Sequence, residues 1–199
     1  TTNERTSYYS QVELPDGMVM TNEGHVLGKN VPSTSVPFKT GFSISTYMQG
    51  DSVFWYVQLN KELGISCLHS YNFLRDRLTV YPKVKPGYAQ VVMAESGGQL
   101  YMANDGGIFR LKEDNLEAVY SYQATERQRT HFDMKEIAPG KLGIASCYAL
   151  LSFDTRNNKL DTLFTDGNYC VRTIWTYKDY VFFGTYGNGL YVSKNGKVK

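Results

Sequence analysis

Leu100–Leu111 reads LYMANDGGIFRL: an apolar run, a small polar turn and a second apolar run. Leu, Tyr, Ile and Phe favour extended backbone, and Asn-Asp-Gly-Gly favours a tight reversal, so the stretch predicts a β-hairpin. Four other segments repeat the layout: LPDGMVMTNEGHVLGKN from Leu14, GDSVFWYVQLNKELGISCLHS from Gly50, PGKLGIASCYALLSFDTRNN from Pro139 and KDYVFFGTYGNGLYVSKNG from Lys178. With Gly24, Gly64, Gly107, Tyr148 and Gly189 as equivalent points, the intervals are 40, 43, 41 and 41 residues.

Each hairpin has an apolar segment before it: Tyr8–Leu14, Phe42–Met48, Tyr88–Ala94, Phe132–Ala138 and Tyr169–Tyr177. Another follows: Pro37–Thr40 (the weakest), Arg77–Tyr81, Leu116–Tyr122 and Lys159–Phe164. No segment sustains a capped helical period. Four strands in a unit of about 40 residues predict an all-β chain, a β-propeller with about five four-stranded blades. The approximate blades are 8–40, 42–81, 88–122, 131–165 and 169–199. A sheet whose central strands are apolar on both faces cannot bury them alone, so blades must stack. A β-sandwich has no such fixed period, and a β-helix repeats at a much shorter one. Gly106-Gly107 and Gly187 to Gly189 fall between second and third strands, where positive φ or close packing is required. No helix follows them, which argues against a phosphate cradle.

The chain has 199 residues, 42% hydrophobic and 20% charged, with 16 Tyr and 10 Phe. A net charge of +2 with scattered basic residues gives no nucleic-acid footprint. No apolar run approaches the roughly 20 residues of a membrane span, so no membrane contact is expected of this segment. Cys67, Cys147 and Cys170 have no close partner in sequence, which excludes C-x-x-C metal sites, and their odd number excludes complete intrachain pairing. The simplest expectation is three free thiols sitting in strands as small apolar residues. No cofactor is expected.

The hairpins resemble the two-component regulator propeller repeat, which carries an apolar strand, a Gly-Thr-like pair, a Gly-Gly-Leu/Ile-aromatic turn and a polar exit. Leu100–Leu111 and Val181–Gly196 (VFFGTYGNGLYVSKNG) are the best copies. The latter keeps Gly184-Thr185, Gly189-Leu190-Tyr191 and Asn195-Gly196. The fourth unit departs, with Cys147-Tyr148-Ala149 where Gly-Gly-Leu is expected. The second has Leu63-Gly64-Ile65, and Leu100 or Phe182 stands where Trp usually opens the second strand; only Trp55 lies near such a place. Neither the Gly-His…Trp-Asp pairing of WD40 repeats nor the Asp box of sialidase-type blades occurs. The resemblance implies the periplasmic half of a sensor kinase, including hybrid two-component systems that control polysaccharide use, in propellers of about seven blades. On that basis the chain is expected to be a fragment or truncated product, periplasmic or otherwise extracytoplasmic. Its opening Thr1-Thr2 without Met fits a removed leader or upstream sequence.

Propeller ligands usually meet the face built from the second-to-third-strand turns and the connections between blades. The repeat places Asn22, Asn104, Asp105, Cys147, Tyr148, Tyr186 and Asn188 in the first set, and Gln123 to His131 and Asp166 to Tyr169 in the second. The candidate ligand-binding residues are Arg127, Arg129, His131, Tyr148, Tyr169, Tyr186 and Asn188. Arg127, Arg129 and His131 offer charge-assisted bonds to an anionic group, or alternatively a solvated loop. The tyrosines offer ring faces to sugars, or alternatively blade-to-blade packing. Asn104-Asp105 reads as an ordinary polar turn.

No catalytic residue and no metal site are assigned. There is no nucleophile elbow and no His-x-x-x-His pair. Streptogramin-lyase-like propellers share this repeat and require a catalytic His, yet none of His25, His69 and His131 has an equivalent setting. The expectation is therefore a non-enzymatic sensing or interaction segment. Its expected partners are an oligosaccharide, other domains of the same sensor, or a second copy. A stand-alone protein-binding scaffold is the alternative. A lyase or hydrolase using His131 with Asp133 is a third reading, one that His131→Ala would inactivate.

Overall fold

The structure, a computed structural model, describes residues 11–13, 19–21, 26–27, 42–60, 65–82, 84, 91–122, 130–165 and 167–199. Their regular elements are all strands. The chain divides into two compact units, Thr1–Tyr88 and Ala89–Lys199. The first unit holds a three-stranded sheet of β1 (Gln11–Glu13), β2 (Val19–Thr21) and β3 (Val26–Leu27). Its other sheet is four-stranded: β4 (Phe42–Gln49), β5 (Val53–Asn60), β6 (Ile65–Asn72) and β7 (Arg77–Tyr81).

The second unit holds three four-stranded sheets. The first is β8 (Val92–Ser96), β9 (Gln99–Asn104), β10 (Gly107–Lys112) and β11 (Asn115–Ser121). The second is β12 (His131–Ala138), β13 (Lys141–Ser146), β14 (Ala149–Asp154) and β15 (Lys159–Thr165). The third is β16 (Val171–Tyr177), β17 (Tyr180–Thr185), β18 (Gly189–Lys194) and β19 (Lys197–Val198). Every pairing is antiparallel between sequential strands. β8 lies later than the expected Tyr88–Ala94 strand, whose opening residues fall outside the described set.

The first strands of successive sheets are neighbours, with β12 packed against β8 on one side and β16 on the other. That is the stacking of propeller blades about inner strands. It buries both faces of the middle sheet. Alternate residues of β13 and β14 point to opposite faces: Ile144, Leu151 and Phe153 join Val92, Ala94, Tyr101 and Ile108 of the preceding sheet. Ala145 and Leu150 join Val171, Ile174 and Phe183 of the next. Gly143 leaves room on this face for Ile137 of the same sheet, whose Cγ2 would lie 2.6 Å from a Cβ there, and Ile174 Cδ1 of the next sheet would lie 3.4 Å away.

Polar bonds repeat the sequence period across the interfaces. Ser96 Oγ donates to Glu136 Oε1 at 2.7 Å, forty residues on. Asp133 Oδ2 accepts from Ile174 N at 2.7 Å and from Thr173 Oγ1 at 3.3 Å. Its other oxygen accepts from Met134 N at 2.8 Å. Burial nonetheless raises the Asp133 carboxyl above its ordinary value, against these hydrogen bonds.

Hairpin closure corrects the expected equivalences. The closing pairs are Asn104↔Gly107, Ser146↔Ala149 and Thr185↔Gly189. Ala149 rather than Tyr148 is therefore the counterpart of Gly107 and Gly189, and Tyr148 is a turn residue like Gly106. The cysteine expectation also changes. Only Cys67 sits in a strand, whereas Cys147 is in the β13–β14 turn and Cys170 precedes β16.

Candidate functional site

Alternating hairpin reversals give the second unit two rims. One carries the β12–β13, β14–β15 and β16–β17 turns. The other carries the β9–β10, β13–β14 and β17–β18 turns and the connections between sheets. A cleft of about 600 Å³ opens on the first rim, among Ile137, Leu163, Val181, Lys141, Lys178 and Asp179. None of the sequence-predicted residues among those described lines it.

The second rim gathers Tyr148, Tyr169, Tyr186 and Asn188. Tyr148, Tyr169 and Tyr186 are 41%, 37% and 72% exposed. Three contacts bring their segments together. Tyr186 N donates to Cys170 O at 2.9 Å. The Tyr169 ring packs where a Cβ on Gly187 would stand, 2.7 Å from its Cε1, and Gly187 has φ +106°. Cys147 Sγ lies 2.7 Å from Cys170 Sγ, which draws the Tyr148 turn to the strand that follows Tyr169. Asn188 bonds within its own hairpin: its N donates to Thr185 Oγ1 at 3.2 Å, and its Nδ2 donates to Tyr191 OH at 2.6 Å.

Arg172, absent from the sequence reading, belongs to this rim. Its guanidinium lies 4.0 Å from the centroid of the Phe132 ring and 5.5 Å from that of Tyr186. Both Phe132 and Arg172 sit at register shifts near the start of β12 and β16, at His131/Asp133 and Val171/Thr173. A bulge re-aims the residue it frees, so the same irregularity in adjacent blades sets a cation over an aromatic face. Period alone gives no sign of a bulge. Forty-residue spacing with one aromatic and one Arg was the available clue.

Tyr148 has φ +66°. Left-handed backbone is costly for a bulky side chain and is compatible with a site whose neighbours over-determine it.

His131 does not join the rim surface, which corrects its reading as a ligand contact. Its side chain is 0% exposed, its Nε2 is 3.1 Å from Asn104 O, and its Nδ1 has no hydrogen-bond partner. The Tyr122 ring centroid lies 5.3 Å away. Burial holds the imidazole down at about 4, against the Asn104 carbonyl and the Asp105 charge that favour protonation. Asp133 is engaged by the Met134 and Ile174 amides, and His131 by Asn104 O, so the pair is not an acid–base dyad. Asn104 behaves as an ordinary turn residue, its Oδ1 accepting from Gly106 N at 2.8 Å. Arg127 and Arg129 lie outside the described residues. Among the described residues no group of three or more His, Cys, Asp or Glu is placed to hold a metal.

The chain is thus a β-propeller segment with an aromatic, partly cationic rim. No family model and no curated protein matches its sequence. Solved structures do match its fold. It superposes on the extracellular domain assigned to a hybrid two component system of B. thetaiotaomicron, with TM-score 0.70 and 18% identity, covering 100% of this chain and 28% of that one. A second extracellular domain with the same assignment, from the same organism, gives 0.62 and 20%, covering 95% and 29%. A catalytically inactive virginiamycin B lyase from Staphylococcus aureus, solved with quinupristin, gives 0.68 and 12%, covering 96% and 67%. The chain spans less than a third of the two extracellular domains. The propeller fold read from the repeat is therefore shown, and the proteins named by the sequence resemblance are among those that share it.

Proposed function

We propose that this chain is a ligand-sensing or interaction segment of an extracytoplasmic sensor of the two-component type. Its binding surface is the rim of Tyr148, Tyr169, Tyr186 and Arg172, and its ligand is carbohydrate-derived. The observation that carries this is the exposure of three tyrosines on segments tied together by Gly187, Cys170 and Cys147, with a guanidinium beside them. Ring faces take the apolar face of a sugar, and the guanidinium takes a hydroxyl or carboxylate. Likeness to extracellular sensor domains supports the setting. Ligand binding would act by favouring one geometry of a dimer or of adjoining domains, so other domains of the same sensor or a second copy are its partners.

A propeller lyase or hydrolase is the weaker reading. His131 is sealed from solvent and His69 is buried, leaving no accessible imidazole among the described residues.

Titration calorimetry against neutral and uronate-containing oligosaccharides tests the reading. Binding should appear, and Tyr186→Ala or Tyr148→Ala should weaken it about tenfold, the effect of losing about 1.4 kcal/mol of contact. Arg172→Ala should penalise uronate ligands more than neutral ones. Absence of binding to every oligosaccharide, or binding indifferent to all three variants, would remove the carbohydrate rim.

A further inference from the structure

We infer that Cys147 and Cys170 form a disulfide that staples the β13–β14 turn to the segment entering β16, joining two adjacent blades at the tyrosine rim. The sulfurs stand 2.7 Å apart. That is well inside the roughly 3.5–4 Å of ordinary non-bonded contact, and a small displacement from the about 2.05 Å of an S–S bond. The backbones that carry them are held independently. Cys147 N donates to Thr130 O at 3.1 Å, and Cys170 O accepts from Tyr186 N at 2.9 Å. Each backbone is thus held within its own sheet, and the Asp133 bonds to Thr173 and Ile174 tie the two sheets together, so the pair is placed before any covalent bond exists. Twenty-three residues and a sheet boundary separate the two in sequence, so the meeting is a product of the fold. Both side chains are partly exposed, so an oxidant can reach them.

The oxidant is a disulfide, either low-molecular-weight or carried by a thiol–disulfide oxidoreductase. One cysteine sulfur, as thiolate, attacks it, forming a mixed disulfide and releasing one thiol. The second attacks the first, forming the Cys147–Cys170 bond and releasing the other thiol. The two cysteine protons end on the two released thiols, and the oxidant takes the two electrons. Burial, then the Cys170 sulfur beside it, raises the Cys147 thiol to about 11, while Arg172 works the other way. Cys147 is thus mostly protonated at neutral pH and gains reactivity from proximity. An oxidising compartment is where such a bond persists. Cys67, in a strand of the other unit, is the thiol left over.

The pairing does not depend on what the rim binds. The test is a thiol count on the whole chain, denatured after exposure to oxidised glutathione. The count should fall from three to one in the native sequence and from two to zero in Cys67→Ser. Tryptic mapping should join Leu142–Arg156 to Leu160–Arg172, with two hydrogens lost. Cys147→Ser should keep both of its thiols under the same treatment. Three surviving thiols in the native sequence, a bridge that includes Cys67, a bridge between chains, or stable glutathione adducts on Cys147 and Cys170 would each overturn the inference. Cys67→Ser keeps the test decisive if Cys147→Ser fails to fold.

Discussion

Tyr148 occupies a turn position with φ +66°, where its neighbour in the preceding blade is Gly106. A Cβ in left-handed backbone costs about 1–2 kcal/mol, and glycine gives back about 0.5–1 kcal/mol through its freer unfolded chain. Tyr148→Gly should therefore be as stable as the native protein or more so, by up to about 1 kcal/mol. Tyr148→Ala keeps the Cβ and therefore the strain, and it loses the ring, so it should be less stable than Tyr148→Gly by up to about 1 kcal/mol. Urea denaturation of the three proteins separates these outcomes, and a Gly variant less stable than the Ala variant would refute the strain. The ring is then retained at some cost to stability, which is how residues at binding rims behave. Gly107 is the opposite case. A Cβ there would lie 2.1 Å from Tyr120 O, a backbone atom that cannot step aside, so no other residue serves.

At the scale of elements, Asp133 clamps β12 to β16. One carboxylate takes the Ile174 and Met134 amides and the Thr173 hydroxyl. Asp133→Ala would strand buried amide donors at a blade interface and should cost about 2–3 kcal/mol in chemical denaturation. A loss below about 0.5 kcal/mol would mean that water replaces the carboxylate. The hairpins were legible because turn chemistry and alternating apolar residues are local and recur every 40-odd residues. The bulges were not, since Phe132 and Arg172 look like ordinary strand residues until a partner strand is present to be out of step with. The same limit hid Arg172 from the site and kept Cys147 and Cys170 apart. His131 differs for a related reason: it closes the polar run ATERQRTH, which reads as an anion contact or a solvated loop, yet it is the first residue of β12 and is buried against Asn104 O and the Tyr122 ring. The repeat places Tyr148 and Tyr186 in the turns between second and third strands, and both are exposed there.

Across the whole molecule, the burial of His131 couples stability to pH. The folded chain holds its ring neutral down to about 4, and unfolding returns it to 6.5. Between those values the unfolded chain binds more protons, so stability is fully present above about pH 6.5 and falls as pH drops, levelling off near 4. The 2.5-unit gap corresponds to a loss on the order of 3 kcal/mol. His69 in the other unit is also held low, chiefly by burial, and adds a loss of the same sign. Asp133 opposes it: its raised carboxyl favours the fold most at low pH, and that contribution fades as pH rises through its folded value. The net profile mixes these groups, so the informative quantity is the difference between the native protein and His131→Gln, which keeps a polar side chain but cannot titrate. Denaturation at half-unit steps from pH 4 to 7.5 should give a difference that is flat above pH 6.5 and shrinks by on the order of 3 kcal/mol towards pH 4. A difference independent of pH would mean that the ring takes up its proton inside the fold, and the middle blade would then open to water near Asn104 without unfolding.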